Sequence, residues 1–262
     1  MEKITSVSNP RVQRVVQLKD KAKAREKAQA FIAEGLRLVS DTAPERLLEV
    51  YATESFLAEH PMDGAVAVSD EVMRKMSDTR TPQGVLAVVR MPEHDEEKLI
   101  AGTPGKPPLF LLLEDIRDPG NLGTILRTAE AAGVTAVFMS PGTVDVFSPK
   151  VVRSTMSAIF RVPFVPGADL LSAAERMKER GVRVYASYLD PGAVPYTDAD
   201  LAGGAAIMVG NEAAGLTAEL SGRADSRVYI PMQGEIESLN AAMAAGILMY
   251  EAARQRREAR NG

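Results

Sequence analysis

Three polar, glycine-bearing stretches each follow an apolar run, and these are the places where this chain can do chemistry. Glu114-Asp115-Ile116-Arg117-Asp118-Pro119-Gly120-Asn121-Leu122-Gly123 follows the run 109–113. Gly210-Asn211-Glu212-Ala213-Ala214-Gly215 follows 205–209, and the stretch from Pro231 to Ser238 follows 228–230. Continuous apolar runs of five or so residues are the pattern of strands covered on both faces, as in a parallel sheet. Ligands of such sheets bind outside the carboxyl ends of the strands, so all three stretches converge on one cleft. Gly234 lets the backbone turn or pass close to a ligand, and Pro231 ends strand pairing because it has no N–H to give. Arg127 lies four residues after Gly123 on one helix face, where its side chain either runs out to solvent or is fixed toward the cleft.

The familiar nucleotide loops do not fit. A dinucleotide fingerprint wants G-x-G-x-x-G, and Gly120-Asn121-Leu122-Gly123 supplies only G-x-x-G. A G-x-x-x-x-G-K-[ST] phosphate loop is absent. With no cysteine, disulfides, thiol nucleophiles and thiolate zinc sites are excluded, and His60 and His94 alone make no plausible metal site, so no metal is expected.

The 262 residues are 45% hydrophobic and 25% charged, the balance of a globular protein able to bury a core. No run approaches the roughly 18 to 20 apolar residues that cross a bilayer, and the first residues lack the apolar core of a signal peptide. No membrane partner and a cytoplasmic location are expected. The net charge of −4 averages over an uneven distribution. Arg11, Arg14, Lys19, Lys21, Lys23, Arg25 and Lys27 crowd one region, either as a solvated helix face or as an RNA contact.

The elements that must position these residues fall into two α/β groups. Helical periodicity covers 11–40, interrupted at Glu34-Gly35, with Val12, Val15, Val16 and Leu18 near one face and Phe31, Ile32, Leu36 and Val39 beyond. Strands are expected at 47–52, 64–68 and 84–90, with a short helix at 70–76 begun by Ser69. Residues 1–91 form the first domain. The charged, then Gly- and Pro-bearing stretch 92–107 reads as a linker. In 108–262, strands at 109–113, 136–139, 162–165, 182–188, 205–209 and 228–230 alternate with helices at 122–132, 150–158, 170–180, near 217–220 and at 239–257. Gly133 and Gly181 close two of these helices, and Ser238 is the candidate cap of the last. The fold class is α/β, a mostly parallel sheet with helices on both faces plus a small N-terminal α/β domain.

These residues resemble a known family. Asp118-Pro119-Gly120-Asn121-Leu122-Gly123-Thr124 with Arg127, Val209-Gly210-Asn211-Glu212 with Gly215, and Ile230-Pro231-Met232 followed by Ser238-Leu239-Asn240 resemble the three ordered motifs of the SpoU/TrmH RNA ribose 2′-O-methyltransferases, of the SPOUT superfamily. The first domain, with Ser8-Asn9-Pro10 and Glu34-Gly35, is similar to the ribosomal-protein-like substrate-binding domain of ribosomal-RNA members. The resemblance implies a C-terminal trefoil knot, S-adenosylmethionine bent within it, and a homodimer. It implies that Gly210, Ile230, Met232, Leu239 and Asn240 hold the cofactor. It also implies that Arg127, Asn121, Glu212, Ser238 and Asn240 serve catalysis, Arg127 either as base or as stabiliser of charge. The expected reaction is methylation of a ribose 2′-hydroxyl in RNA, ribosomal RNA first and transfer RNA as the alternative. Where many members carry a second hydroxyl in the third motif, this chain has Ala242.

Two readings of other classes compete. One is a non-catalytic RNA-binding or ribosome-assembly protein on the same scaffold, which would bind RNA without cofactor affinity. The other is a dinucleotide-dependent oxidoreductase, which would bind NAD(P).

Overall fold

The first strand, β1 (Lys3–Ile4), enters a five-stranded sheet, and Asn9 then starts α1 (Pro10–Asp20) by accepting the Arg11 N–H at 2.9 Å. Pro10 suits the first helical position, where an N–H would have no partner. Val12, Val15 and Leu18 form the buried face of α1. The structure is a computed structural model that describes residues 3–211, 213–236 and 238–261. It divides into two units, Met1–Glu93 with Asp145–Phe160, and His94–Val144 with Arg161–Gly262.

In the first unit α2 (Ala22–Ala28) closes at Gln29, which is left-handed at φ 47°, and the chain turns into β2 (Ala30–Glu34). This corrects the helix expected through 40, because Phe31 and Ile32 are strand residues. Every residue of β2 is buried, and a short apolar run carries no period that separates a fully buried strand from a helix. There follow α3 (Leu36–Ser40), β3 (Leu47–Thr53), α4 (Glu54–Glu59), β4 (Val66–Val68), α5 (Asp70–Met76) and β5 (Val85–Arg90). Thr53 and Ser69 cap α4 and α5. The sheet runs β1-β4-β3-β5-β2, with β5 antiparallel to β3 and β2.

The second unit opens on α6 (Glu96–Ala101), inside the stretch read as a linker. Asp95 caps it and Ile100 is buried in the core of this unit, while Glu96 and Glu97 bond Arg176. The acidic residues that suggested a linker are the ones that hold this helix to Arg176. Then come β6 (Leu109–Leu113), α7 (Pro119–Ala132) and β7 (Ala136–Met139). Next, α8 (Pro149–Ser154) belongs with the first unit, where it packs on β2. Arg153 of α8 bonds Asp78 at 2.7 Å, and Asp145 receives the buried Arg25.

The remainder is β8 (Phe164–Pro166), α9 (Leu170–Glu179), β9 (Arg183–Ser187), β10 (Val194–Pro195), β11 (Ala205–Val209), α10 (Ala218–Ser221), β12 (Ser226–Tyr229) and α11 (Ala241–Asn261). Seven strands lie in the order β10-β12-β9-β11-β6-β7-β8, every pair parallel. Central β6 and β11 are buried along their whole length, as helices on both faces require.

Helix α11 spans ~32 Å at 1.5 Å per residue and packs along α7. At its far end Arg256 donates to the carbonyls of Pro107, Pro108, Leu201 and Gly203, just ahead of β6 and β11. The helix therefore runs from the carboxyl ends of the central strands to their amino ends. Among the described residues, no helix is long and apolar enough to cross a membrane.

Candidate functional site

Helix α7 fixes the first group. Asp118 accepts the Asn121 N–H at 2.8 Å, Pro119 takes the first helical position, and Gly133 ends the helix left-handed at φ 75°. Leu122, Ile125, Leu126 and Ala129 recur at helical spacing and are buried, which sets the rotation of the helix. Asn121 is thereby half-buried at the sheet's carboxyl edge, and Arg127 is exposed. Among the described residues, Arg127 has no carboxylate within ion-pair distance, so its charge is uncommitted.

The second group is a loop folded tightly on itself. Asn211 accepts the N–H groups of Ala213 and Ala214 at 2.9 and 3.2 Å, and its carbonyl accepts the Gly215 N–H at 2.9 Å. Its side-chain amide donates across to the Asp115 carbonyl at 2.8 Å, tying the second stretch to the first. A Cβ on Gly210 would fall 2.2 Å from the Gly215 carbonyl carbon, so only glycine fits there. Glu114 adds a second tie, accepting from the Thr217 N–H and hydroxyl at 2.7 and 2.8 Å. Asp115 itself is left-handed at φ 55° and is held by the Ser140 hydroxyl at 2.7 Å.

A side-chain bond joins the third group to the first. The Asn240 amide donates to the Asn121 side-chain oxygen at 2.9 Å. The Asn240 oxygen accepts the N–H groups of Ala242 and Met243 at 3.0 and 3.2 Å, which makes Asn240 the cap of α11. Ser238 was expected in that place; instead it is exposed and lines the cleft, and the helix begins at Ala241 rather than at 239. The Ala242 side chain is buried at 5% exposure.

Between the second and third groups lies a cavity of ≈ 710 Å³. Val209, Gly210, Ile230, Met232, Ser238 and Leu239 line it, and Ala241 and Ala244 of α11 close one wall. Its volume falls in the range of sites for small ligands. No charged residue lines it among the described residues, so a ligand there meets apolar walls, backbone groups and the neutral polar side chains of Ser187, Tyr188, Asn211, Tyr229 and Ser238.

Of the residues singled out from sequence, the structure brings Gly210, Ile230, Met232, Leu239 and Ser238 to one cavity. Asn240 does not line it, but bonds Asn121. Arg127 stands on the exposed side of α7, and Glu212 lies outside the described residues. The sequence reading missed the ties made by Glu114, Asp115, Asn211 and Thr217. Their available signal was position alone, since each lies within two residues of a strand end or caps a short helix.

Residues 108–250 match the SpoU rRNA Methylase family. The chain belongs to that family. Residues 9–87 match the MRM3-like substrate binding domain. Among relatives of this SpoU protein is the 23S rRNA (guanosine(2553)-2′-O)-methyltransferase RlmP of Bacillus subtilis, 36% identical over 255 residues and covering 95% of this chain and 98% of the relative. Human mitochondrial rRNA methyltransferase 3 is 30% identical over 296 residues, covering 89% of this chain and 69% of that protein. The AdoMet-bound rRNA methyltransferase from Sinorhizobium meliloti superposes with a TM-score of 0.83 at 31% identity, covering 97% of both chains. The SpoU methyltransferase AviRb from Streptomyces viridochromogenes, in complex with AdoMet, gives 0.81 at 27% identity, over 95% of this chain and 98% of that one. The SpoU match spans all three motif groups and the cavity between them.

Proposed function

We propose that the protein transfers the methyl group of S-adenosylmethionine to a ribose 2′-hydroxyl of ribosomal RNA, and acts in the cytoplasm. The observation that carries this reading is the cavity at the carboxyl ends of the central strands, uncharged among the described residues, formed by the second and third motif groups and linked to the first by the Asn240–Asn121 bond. The lining suits the cofactor: Ile230, Met232 and Leu239 would hold it by apolar contact and the backbone around Gly210 by polar contact. S-adenosylmethionine, when bound, supplies a methyl group already activated by its sulfonium.

What remains for the chain is alignment of the 2′-oxygen and control of its charge. Arg127 supplies fixed positive charge for the phosphate or for the developing alkoxide, because a guanidinium is not deprotonated in proteins. Asn121, held at its backbone by Asp118 and at its side chain by Asn240, orients the first motif loop. Glu212 completes the catalytic set.

In this reading the segment between β12 and α11 threads a trefoil knot. Strand β12 lies outside β9, yet α11 returns to pack on α7 and β11 near the centre of the sheet. The functional unit is a homodimer. Met243 and Tyr250, seven residues apart on α11, are 59% and 51% exposed, and a second copy would cover this apolar stripe.

The test is transfer of labelled methyl from S-adenosylmethionine to ribosomal and transfer RNAs, followed by mapping of the modified ribose. Incorporation into ribosomal RNA is expected. A chain that stays inactive beside an active relative would sink the proposal, and RNA binding with no cofactor affinity by calorimetry would favour an assembly protein.

The Asn240 bonds separate positioning from stability. In Asn240→Asp the carboxylate still accepts the Ala242 and Met243 N–H groups, and Asp caps as well as Asn. The donor to Asn121 is lost. Thermal unfolding should stay near that of the parent while methyl transfer falls about tenfold. Asn240→Ala should lose the cap too, at about 1 kcal/mol, and so unfold roughly 2–4 °C lower.

A further inference from the structure

Most of the basic run at 11–27 is consumed inside the first unit. Arg11 and Arg14 both bond the Glu49 carboxylate, at 2.9 and 2.8 Å. Burial opposes the charge on Glu49, but the Tyr51 hydroxyl and the two guanidinia outweigh it and hold the carboxyl below its usual range. Lys19 donates to the carbonyls of Lys75 and Ser77, and the buried Arg25 bonds Asp145 at 3.0 Å. Arg25 is thereby closed to a phosphate, and Arg11 and Arg14 are partly neutralised by the one carboxylate they share.

Lys21, Lys23 and Lys27 of the run stay exposed, and further uncommitted charge lies elsewhere in the unit. Arg74 on α5 and Arg80 in the loop before β5 are both exposed, and neither has a carboxylate partner among the described residues. They line one cavity of ≈ 510 Å³ together with Phe56, His60, Glu59 and Asp70. The exposed His60 ring rests on buried Phe56, with ring centroids 4.9 Å apart. The loop that carries Arg80 is firmly seated. Gln83 accepts the Leu36 N–H at 3.1 Å, the Gly84 carbonyl accepts the Thr53 N–H at 2.9 Å, and the Val85 carbonyl accepts the Gly35 N–H at 3.0 Å. Gly84 is at φ 88°, and a Cβ there would come 2.8 Å from the Thr53 hydroxyl.

This cavity holds the three chemistries that one unpaired nucleotide requires. Guanidinium forks match phosphate oxygens. An exposed ring on a fixed support offers a stacking platform for a base. Glu59 and Asp70 accept hydrogen bonds from base amino groups and repel phosphate from their side, which orients the strand. We propose that this cavity is a subsite of the first unit for a single unpaired RNA nucleotide whose base carries an amino group. The inference rests on the reading that the substrate is RNA, and it adds where and how the first unit grips a strand.

The test uses the full chain and fluorescein-labelled single-stranded decamers of cytidylate and of uridylate, titrated by anisotropy between 50 and 200 mM KCl. The cytidylate decamer should bind several-fold more tightly, since uracil has no amino group. Arg74→Ala with Arg80→Ala should weaken both decamers about tenfold or more. The slope of log K against log salt should fall by roughly 1.4, two phosphate contacts at about 0.7 each for a single strand. His60→Ala should lose about tenfold, and His60→Phe should restore binding by keeping the platform. Glu59→Gln with Asp70→Asn should erase the preference for cytidylate.

No binding of either decamer at 50 mM KCl would overturn the proposal. So would an unchanged salt slope in the arginine variant, or a base preference that survives loss of both carboxylates. Cofactor affinity by calorimetry and methyl transfer at saturating RNA should not change in any of these variants. A chain that binds the decamers as described but transfers no methyl to any RNA would remove the methyltransferase reading and leave this subsite standing.

Discussion

Arg127→Ala is expected to slow methyl transfer to ribosomal RNA by about two to three orders of magnitude, the range seen when one preorganised donor to a developing charge is removed. S-adenosylmethionine affinity should stay within about twofold, because Arg127 does not line the cavity. The side chain is exposed and makes no ion pair among the described residues, so its removal breaks no packing and the thermal midpoint should hold. Single-turnover transfer of labelled methyl, with calorimetry of the cofactor alone, separates the two quantities. Arg127→Lys discriminates the role. A lysine keeps the charge but loses the planar fork, so recovery to within about tenfold of the parent would point to charge alone. Failure to recover would point to bidentate grip of a phosphate. An Arg127→Ala chain that transfers methyl at the parent rate would remove Arg127 from the reaction.

The central sheet was legible because its signals are local. Leu109–Leu113 and Ala205–Val209 are unbroken apolar runs, and α7 carries its own start in Asp118-Pro119 and its own stop in Gly133. Convergence of the three loops followed from the rule that parallel strands present their carboxyl ends together. What escaped was decided over long distances. Phe31 and Ile32 have no periodicity of their own, and they become strand because β5 offers a ladder 55 or more residues further along the chain. The stretch at 96–101 looks like a linker until Arg176 claims its carboxylates and the core takes Ile100. Residues 145–160 pack with the first unit through Arg25 and Asp78, partners far away in sequence. The choice of Asn240 over Ser238 as cap has the same origin. Both residue types cap well, and the bond to Asn121, 119 residues away, accompanies the choice of Asn240. Sequence therefore named most residues of the cleft, while their division into cavity wall and positioning contact required the pairings across the sheet.

Gly210→Ala is expected to damage the cleft from inside the fold. The added methyl would sit 2.2 Å from the Gly215 carbonyl carbon, 2.3 Å from the Leu216 nitrogen and 2.4 Å from the Gly215 oxygen. All three are backbone atoms, so no side chain can swing aside and the loop itself must open. Opening it pulls apart the Asn211–Gly215 bridge and with it the Asn211 tie to Asp115, which joins the second motif loop to the first. Forced overpacking of this kind costs about 1–3 kcal/mol, which for a chain of this size lowers the thermal midpoint by roughly 2–12 °C. Because Gly210 lines the cavity, S-adenosylmethionine affinity should fall by about tenfold or more, and methyl transfer with it. Gly203→Ala is the control, since a Cβ there meets nothing within 4 Å; its thermal midpoint and cofactor affinity should match the parent. The contrast with Arg127 is the informative part. Loss of Arg127 should leave cofactor binding intact and remove the chemistry, whereas the Gly210 methyl should remove cofactor binding first. Calorimetry that finds unaltered S-adenosylmethionine affinity in Gly210→Ala would place the cofactor outside the cavity between β11 and α11.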